Sequence, residues 1–172
     1  MAGLIAYGAY VPYHRLKRSE IAQVLGEGGG KGTRAVASYD EDPTSMGVEA
    51  ARHALRGAAG AARPRRLLFA TANPPYLDKT NANVVHAALA LDPGALALDV
   101  VGSVRSGIGA LVLAAESSTP TLAVLADVRT GLPGGADERD GGDAATAFLF
   151  GDGAPAIAEV VAQASATQEF LD

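Results

Sequence analysis

Cysteine is absent from this chain of 172 residues. Its absence excludes disulfides, thiolate metal ligands and a thiol nucleophile within the chain. The amino-terminal segment MAGLIAYGAYVP has no basic region ahead of a long apolar run, so no secretory signal is predicted. No window contains the roughly 18 consecutive apolar residues that a membrane span needs. We therefore predict a cytoplasmic protein without a membrane partner.

Aromatic residues and positive charge are also scarce. Aromatic side chains make up 5% of the chain and tryptophan is absent, so the core must be built from small and aliphatic side chains. The 19 acidic residues outnumber the 14 Lys and Arg residues, which gives a formal net charge of −5. No basic stripe is present that would suit a nucleic-acid partner. The densest basic run, RPRR at residues 63–66, is predicted to be a solvated loop before a strand.

Apolar runs alternate with segments of helical periodicity along the chain. Strands are predicted at residues 4–10, 67–72, 98–101 and 121–127, and helices at 18–25, 45–56, 81–90 and from 104 onward. Residues 144–150 and 156–161 are predicted to pair as a terminal β-hairpin, because the turn Gly151-Asp152-Gly153 between them is typical of hairpins. The alternation indicates an α/β fold with a mixed, mostly parallel five-stranded sheet and helices on both faces. Residues 1–172 are predicted to form one domain.

The stretch LDVVGSVRSGIGALVLAAES, residues 98–117, organises this predicted fold. It is predicted to be a buried strand, a tight turn at Gly102-Ser103 and a helix that is apolar nearly all round. Such a helix is typical of a central element with neighbours on several sides. Its first turn presents backbone N–H groups and the positive end of the helix dipole, which can hold an anion or an oxyanion. We predict a binding site at residues 103–106.

A glycine-rich loop, GEGGGKGT at residues 26–33, is similar to a phosphate loop. In that motif Gly-Lys is followed directly by Ser or Thr, and a strand precedes it. Here Gly32 follows Lys31 and a predicted helix precedes the loop. The better interpretation is a flexible connection.

The acidic run Asp40-Glu41-Asp42 has two interpretations, a metal site or the acidic start of a helix capped by Thr44 or Ser45. No histidine or further acid lies at ligand spacing, so helix capping is favoured and no metal is predicted. His86, beside apolar neighbours on a predicted helix, is interpreted as structural.

Four segments, in order along the chain, carry a resemblance to a known family. They are GLIAYGAYVPYHRLKRSEIA at 3–22, the acidic run followed by VEAAR at 48–52, the strand–turn–helix at 98–115, and a loop containing Asp127, Gly131, Pro133, Gly134, Ala136 and Glu138. Together they resemble the N-terminal half of the thiolase superfamily, and within it the archaeal and bacterial hydroxymethylglutaryl-CoA synthases.

This resemblance implies a fold of two similar α/β halves and a condensation of thioesters. An acyl group passes from coenzyme A to a Cys, and a carbanion from a second acyl-CoA attacks a carbonyl. A helix start suits that Cys, because the dipole stabilises its thiolate and the backbone N–H groups stabilise an oxyanion. The resemblance implies a CoA thioester as substrate and no separate cofactor.

The sequence departs from the family at the reacting groups. Family members read Cys-Lys-Ala-Gly at the helix start, whereas this chain reads Val104-Arg105-Ser106-Gly107, so Val104 stands at the nucleophile position. Counting back from Pro75-Tyr76, the position of the family's acid/base Glu falls on Ala72. Covalent acyl-cysteine chemistry is therefore excluded from this chain.

Other residues are candidates for the missing groups. Ser103, Ser106 and Asn73 lie nearby in sequence and are the candidate catalytic residues. A serine nucleophile needs an adjacent base, and none is visible locally, so Ser103 is more readily interpreted as an N-cap. Arg105 and Tyr76 are candidate substrate-binding residues, since a guanidinium suits a carboxylate or a CoA phosphate.

The family's C-terminal half, which supplies the His and further oxyanion contacts, is not in this sequence. We therefore predict a fragment or a split subunit, held by a C-terminal thiolase half or by a partner subunit in a homo- or hetero-oligomer such as a dimer. Two functions stay open: an acyltransferase-type, acyl-CoA-condensing enzyme with altered chemistry, and a non-catalytic thiolase-fold scaffold with a degenerate active site. A nucleotide-binding domain is disfavoured, because Gly107 and Gly109 lie within a predicted helix.

Overall fold

The structure, a computed structural model, describes residues 2–26, 30–58, 60, 63–152 and 155–169. The predicted glycine loop and the turn after residue 150 thus lie partly outside the described residues. The elements follow in the order β1 (Gly3–Tyr10), β2 (His14–Lys17), α1 (Arg18–Leu25), β3 (Thr33–Val36), α2 (Pro43–Gly57), β4 (Arg66–Thr71), α3 (Asn81–Ala88), β5 (Leu96–Val101), α4 (Arg105–Glu116), β6 (Thr121–Asp127), α5 (Ala136–Asp140) and β7 (Ala144–Gly151).

The main sheet has five strands in the order β1-β7-β6-β4-β5. β4 pairs in parallel with both β5 and β6, whereas β7 pairs antiparallel with β6 and with β1. Four strands therefore run in one direction and β7 alone is reversed. This confirms the predicted mixed, mostly parallel sheet. β2 and β3 form a separate antiparallel pair, which was not predicted because both strands are short and largely polar.

The predicted terminal hairpin is wrong. Both edges of β7 are used, one by β1 and the other by β6, so no edge is left for residues 156–161. That segment instead makes an isolated bridge between Ala158 and Leu4 at the outer edge of β1. The Asp-Gly turn is only a local signal for a hairpin. Ala147 and Leu149 of β7 are fully buried, which places β7 in the interior of the sheet between two other strands.

Helices cover the two faces of the sheet unequally. α2 and α3 lie on one face, above a core that includes Met46, Phe69, Val85 and Leu122. α4 covers the other face, where its buried alanines, Ala110 and Ala114, pack with Leu68 and Ala70 of β4 and Ala123 of β6. Helices on both faces are thus confirmed.

Two details of the predicted central stretch are wrong. α4 is not buried all round, because Ile108 is 61% exposed and Leu113 is 52% exposed. β5 is not a buried strand either: it is the last strand of the sheet order, and Leu98 is 45% exposed. Apolar composition shows that a surface is suited to burial, but it does not say what covers it.

β1 and α2 approach each other closely at Gly8. A Cβ atom added at Gly8 would lie 2.2 Å from the carbonyl oxygen of Ala50 and 2.5 Å from the backbone nitrogen of Ala54. Since these neighbours are backbone atoms of a helix, they cannot rotate away. Only glycine fits this contact.

The amino terminus of α2 is capped by Asp42, and not by Thr44 or Ser45 as predicted. The Asp42 carboxylate accepts hydrogen bonds from the Ser45 amide (2.7 Å) and the Thr44 hydroxyl (2.5 Å), and the Asp42 amide donates to the Ser45 hydroxyl (2.8 Å). Pro43 occupies the first helical turn, where a missing N–H costs nothing. Partial burial raises the pKa of the Asp42 carboxyl, but the hydrogen bonds outweigh it and hold that pKa below its ordinary value.

Asp42→Ala is expected to lower the free energy of unfolding by about 1 kcal/mol at neutral pH, the usual value of a side-chain cap. Because the folded-state pKa is lowered, the carboxylate stabilises the fold above the unfolded-state pKa, and this stabilisation is lost as pH falls through the acid range. The difference in free energy of unfolding between wild type and variant should therefore become smaller as the pH falls. Urea unfolding of both proteins at neutral and acid pH measures this difference. A difference that grows towards low pH would contradict the assigned cap.

Candidate functional site

The candidate site lies where β4, β5 and β6 end. These strands finish at Thr71, Val101 and Asp127 and are neighbours in the sheet, so their carboxyl ends share one edge. One Asp127 carboxylate oxygen accepts hydrogen bonds from the Thr71 hydroxyl (3.0 Å) and the Ala72 amide (2.7 Å). The same edge is where ligands commonly bind in open α/β sheets.

A first cleft, the Val104 cleft, opens beside the start of α4 and has a volume of about 550 Å³. Its walls come from the end of β1, the end of β6, the start of β7 and the loop between β6 and β7. The lining residues are Ala9, Val11, Val104, Leu125, Ala126, Asp127, Arg129, Gly142, Ala144, Ala145 and Thr146. Most of these side chains are small and apolar, so the cleft suits an apolar ligand group more than a strongly charged one.

The charged groups in the Val104 cleft are already engaged. The Arg129 guanidinium forms an ion pair with Asp137, and that hydrogen bond raises the pKa of Arg129 above its ordinary value. One oxygen of Asp127 is held by β4, as described above. Neither group is left as an isolated charge facing the cleft.

A buried ion pair fixes the loop that forms one wall of this cleft. Arg34 of β3 lies 3.6 Å from Asp143, and their side chains are 8% and 2% exposed. Asp143 also accepts hydrogen bonds from the Ala37 and Arg129 amides, both at 2.7 Å. Arg34 donates to the Arg129 carbonyl at 2.7 Å. The small sheet and the β6–β7 loop are thereby tied together beside the cleft.

A second cleft, the Tyr76 cleft, lies at the start of α3 and has a volume of about 440 Å³. It is lined by residues 74 and 76–81, with Asp99 and Val101 of β5. The Lys79 ammonium lies 4.5 Å from the centre of the Tyr76 ring. Asp99 accepts hydrogen bonds from the backbone amides of Asn81 (2.8 Å) and Ala82 (2.6 Å). The start of α3 is thus capped by a carboxylate, which leaves these amides unavailable for an anionic ligand.

The predicted residues at the start of α4 do not converge on one point. Val104 is 63% exposed and lines its cleft, whereas Ser106 donates to the carbonyl of Val101 at the end of β5 (3.3 Å). Arg105 donates to the Ala166 carbonyl (3.3 Å) and is not part of the cleft lining. Ser103 is exposed, and no side-chain cap is formed at the N-terminus of α4, so the predicted N-cap role of Ser103 is wrong.

The first turn of α4 offers fewer free amides than predicted. The Ser106 amide donates to the Ser103 carbonyl (3.0 Å) and the Gly107 amide donates to the Val104 carbonyl (3.2 Å). These three-residue turns lead into α4, which begins at Arg105, one residue later than predicted. Gly102, with φ of 116°, supplies the left-handed turn out of β5.

Ala72 and Asn73 directly follow the last residue of β4, Thr71. The Asn73 amide donates to the Thr71 hydroxyl (3.1 Å), and its side-chain nitrogen donates to the Val128 carbonyl (3.4 Å). Ala72 presents only a methyl group beside Asp127. Asn73 is therefore placed to join β4 to the loop after β6.

Asp127 and Asp143 were not predicted as site residues, although both shape the edge. Asp127 is the last residue of a strand that is apolar from Leu122 to Ala126, and an acid at the end of such a strand is a usable signal. Asp143 follows two glycines in a loop rich in acids, where nothing local distinguishes it from its neighbours.

The remaining sequence motifs have structural roles. Glu41 accepts hydrogen bonds from the Tyr10 hydroxyl and from the Ser38 amide (2.6 Å), and the first of these raises the pKa of Tyr10. The Nε2 atom of His86 lies 3.0 Å from the Asp92 carbonyl oxygen, a contact that fits the structural role predicted for His86.

Among the described residues, no group of three or more His, Cys, Asp or Glu side chains is placed to hold a metal ion. Over the same ranges, no helix has the length and apolar character needed to cross a bilayer.

Comparison with known proteins finds hydroxymethylglutaryl-CoA synthases among the relatives of this chain. The chain is 32% identical over 157 residues to the hydroxymethylglutaryl-CoA synthase of Pyrococcus furiosus, covering 87% of this chain and 45% of that protein. It is 34% identical over 172 residues to the synthase of Aeropyrum pernix, covering 92% and 48%. No protein-family model matches the chain. The chain thus spans about half the length of these curated relatives.

Solved structures share the fold. PksG, an HMG-CoA synthase from Bacillus, superposes with a TM-score of 0.72 at 22% identity, over 89% of this chain and 41% of that one. A 3-oxoacyl-(acyl carrier protein) synthase III from Pseudomonas aeruginosa gives 0.72 at 24%, over 88% and 52%. In both cases about half of the larger protein is matched.

Proposed function

We propose that this chain, a thiolase-like domain resembling the N-terminal half of the hydroxymethylglutaryl-CoA synthases, binds an acyl thioester at the Val104 cleft without forming a covalent acyl-enzyme. The proposal combines a shared fold with a changed reacting group. The family resemblance implies an acyl-CoA ligand, and the residue at the nucleophile position determines what this chain does with it.

The single observation that carries the proposal is the position of Val104. Its exposed side chain stands at the start of α4 and lines a cleft of small apolar residues. An isopropyl group has no lone pair or proton to exchange, so it contributes contact area and no covalent step. The alkyl part of an acyl group is apolar and suits the same walls.

The candidate replacements do not form a nucleophile–base pair. The Ser106 hydroxyl is hydrogen-bonded to the Val101 carbonyl, and a serine nucleophile requires a base that accepts its proton. The histidines of this chain are His14, His53 and His86, and none lines the Val104 cleft. Ala72 offers no acid or base at the position of the family's Glu.

We further propose that a second thiolase-like half, from another polypeptide or a longer form of this one, covers α4. Support comes from the apolar residues Ile108 and Leu113, which stay exposed on that helix. Burial of such side chains is worth about 1.5–3 kcal/mol each. The cytoplasmic location and the oligomeric assembly predicted from the sequence belong to this proposal as well.

A non-catalytic scaffold is the second candidate function. It is favoured by one observation, the replacement of both reacting groups by apolar residues, Val104 and Ala72. Isothermal titration of the protein with acetyl-CoA and with acetoacetyl-CoA separates the two candidates. Binding of either thioester, with no acyl adduct in the intact mass, supports the thioester site. Absence of binding to both thioesters favours the scaffold. Turnover of a thioester by the wild-type protein that is lost in Ser103→Ala or Ser106→Ala contradicts the scaffold.

Val104→Cys is expected to create a reactive thiol. A thiolate at a helix N-terminus is stabilised by the dipole, so its pKa is lowered and its alkylation by iodoacetamide at pH 7 should be about fivefold faster than that of an ordinary thiol. Incubation with acetyl-CoA should then add one acetyl group to the intact mass.

Leu113→Cys is the matched control, because Leu113 is exposed on the same helix but lies near its other end. It should react with iodoacetamide at the ordinary rate and take no acetyl group. Equal rates for the two thiols would contradict this prediction and show that the start of α4 does not activate a nucleophile.

A further inference from the structure

Charge is unevenly distributed along this acidic chain. Between Glu49 and Asp78 the sequence contains no acidic residue, but it contains five arginines, Arg52, Arg56, Arg63, Arg65 and Arg66. The basic run predicted to be a solvated loop is therefore part of a longer acid-free segment. In a chain whose formal net charge is −5, this segment is a local concentration of positive charge.

The fold brings four of these arginines to the amino ends of β4 and β5. α2 ends at Gly57 and β4 begins at Arg66, so Arg63 and Arg65, which precede β4 directly, lie at this edge. The Arg65 carbonyl accepts from the Leu96 amide at the start of β5 (3.0 Å). We call Arg52, Arg56, Arg63 and Arg65 the arginine edge; all four are exposed. It lies at the opposite end of the strands from the Val104 cleft.

Few acids neutralise the arginine edge. Arg52 pairs with Glu49 one helical turn away, whereas Arg56, Arg63 and Arg65 form no ion pair within the described residues. Asp92, the acid in the neighbouring loop, accepts from the Gly94 amide (2.7 Å). Arg56 lies in the last turn of α2, where the helix dipole favours a cation, but Arg63 and Arg65 lie outside any helix and have no such explanation.

A groove runs between α2 and α3 beside Arg52 and Arg56. It has a volume of about 320 Å³ and is lined by Arg52, Leu55, Arg56, Ala88, Leu89 and Ala90. Arg52 and Arg56 are four residues apart on α2 and so lie on one face of the helix. Leu55 and Leu89 are half-buried. The groove therefore offers apolar contact area beside two guanidinium groups, of which that of Arg52 already contacts Glu49 and the Ala88 carbonyl (3.5 Å).

We propose that the arginine edge and this groove bind an acidic, amphipathic segment of a partner protein. Charge complementarity selects the occupant: carboxylates pair with the guanidinium groups, which accept them in bidentate geometry, while apolar side chains contact Leu55 and Leu89. A nucleotide fits less well, because the arginines are spread along an edge and no aromatic ring lines the groove for a base to stack on. The inference is independent of the thioester site.

Fluorescence anisotropy with a labelled synthetic peptide tests the proposal. The peptide carries Glu and Leu on opposite faces of a helical repeat, and a scrambled peptide of the same composition measures the contribution of net charge alone. Arg52→Gln with Arg56→Gln is expected to raise the Kd about threefold, because Arg52 already pairs with Glu49 and the loss of the one remaining charge pair, at about 0.7 kcal/mol, gives that factor. Arg63→Gln with Arg65→Gln is expected to weaken binding in the same direction.

Lys17→Gln with Lys31→Gln is the matched control, since it removes two exposed charges away from the edge. It should change the Kd by less than about twofold. Three results would overturn the proposal: no binding of the ordered peptide, equal effects of the control and the Arg52/Arg56 variant, or equal binding of the scrambled peptide. Displacement of the peptide by tripolyphosphate at equal concentration would also overturn it, in favour of a phosphate ligand.

Discussion

Replacing Asp143 by alanine is expected to lower the free energy of unfolding by about 3–5 kcal/mol, the cost of leaving one partner of a buried ion pair uncompensated. Arg34 would stay buried among the carbonyls of the β6–β7 loop with no carboxylate beside it. The amides of Ala37 and Arg129, which donate to Asp143, would lose their acceptor at the same time. Because a domain of this size is stable by only about 5–15 kcal/mol, the variant should unfold at much lower urea concentration.

Asp140→Ala is the control for this prediction. Asp140 also pairs with an arginine, Arg18 at 3.4 Å, but its side chain is 62% exposed. An exposed pair contributes about 0–1 kcal/mol, so this variant should unfold almost like wild type. If Asp143→Ala does not fold, Asp143→Asn keeps the side-chain volume and one acceptor and should give an intermediate loss. Similar stability of the Asp140 and Asp143 variants would show that the buried pair is not a main support of the loop.

Gly8→Ala is expected to destabilise the fold by about 1–3 kcal/mol or more, as overpacking in a fixed contact does. The added methyl group would meet the backbone of α2, as described above, so β1 and α2 must move apart. That movement would loosen the core that both elements share. Thermal unfolding followed by circular dichroism measures the loss.

Gly109→Ala provides a control of opposite sign. Nothing lies within 4 Å of a Cβ atom at Gly109, and this residue is inside α4. Alanine in a helix interior is more favourable than glycine by about 0.5–1 kcal/mol. The same substitution should therefore stabilise one position and destabilise the other. Destabilisation of similar size at both positions would indicate a general effect of removing glycine and would contradict the close contact.

Much of the sheet could be predicted from the sequence, because β4 and β6 are continuous apolar runs and lie buried in its middle. The hairpin could not, because its turn signal is local whereas the position of β7 depends on pairing with β1 at the other end of the chain. The exposure of α4 could not be predicted either. A helix of this composition is suited to burial on every side, and its sequence does not state whether the covering surface is part of the same chain.

The location of the start of α4 could be predicted from the sequence, but the hydrogen bonds that surround it could not. A strand, a turn and a helix at residues 98–115 located the start of α4 at the carboxyl edge of the sheet, and the structure puts Val104 there. The hydrogen bond between Thr71 and Asp127 joins residues 56 apart, and that between Ala37 and Asp143 joins residues 106 apart. Such pairs depend on how strands are ordered in the sheet, which no local pattern specifies.

The reversed strand β7 has a consequence for the order in which the chain can fold. β7 is the neighbour of β1 in the main sheet and is contributed by residues 144–151, so the first strand cannot take its place in that sheet until most of the chain has been made. The Thr146 hydroxyl donates to the Gly8 carbonyl across 138 residues of sequence. Closing so long a loop is entropically costly and slow. Synthesis on the ribosome proceeds from the amino terminus, so β1 and α2 are made before β7 and can pack on each other first. Insertion of β7 between β1 and β6 is therefore a late step that completes the sheet.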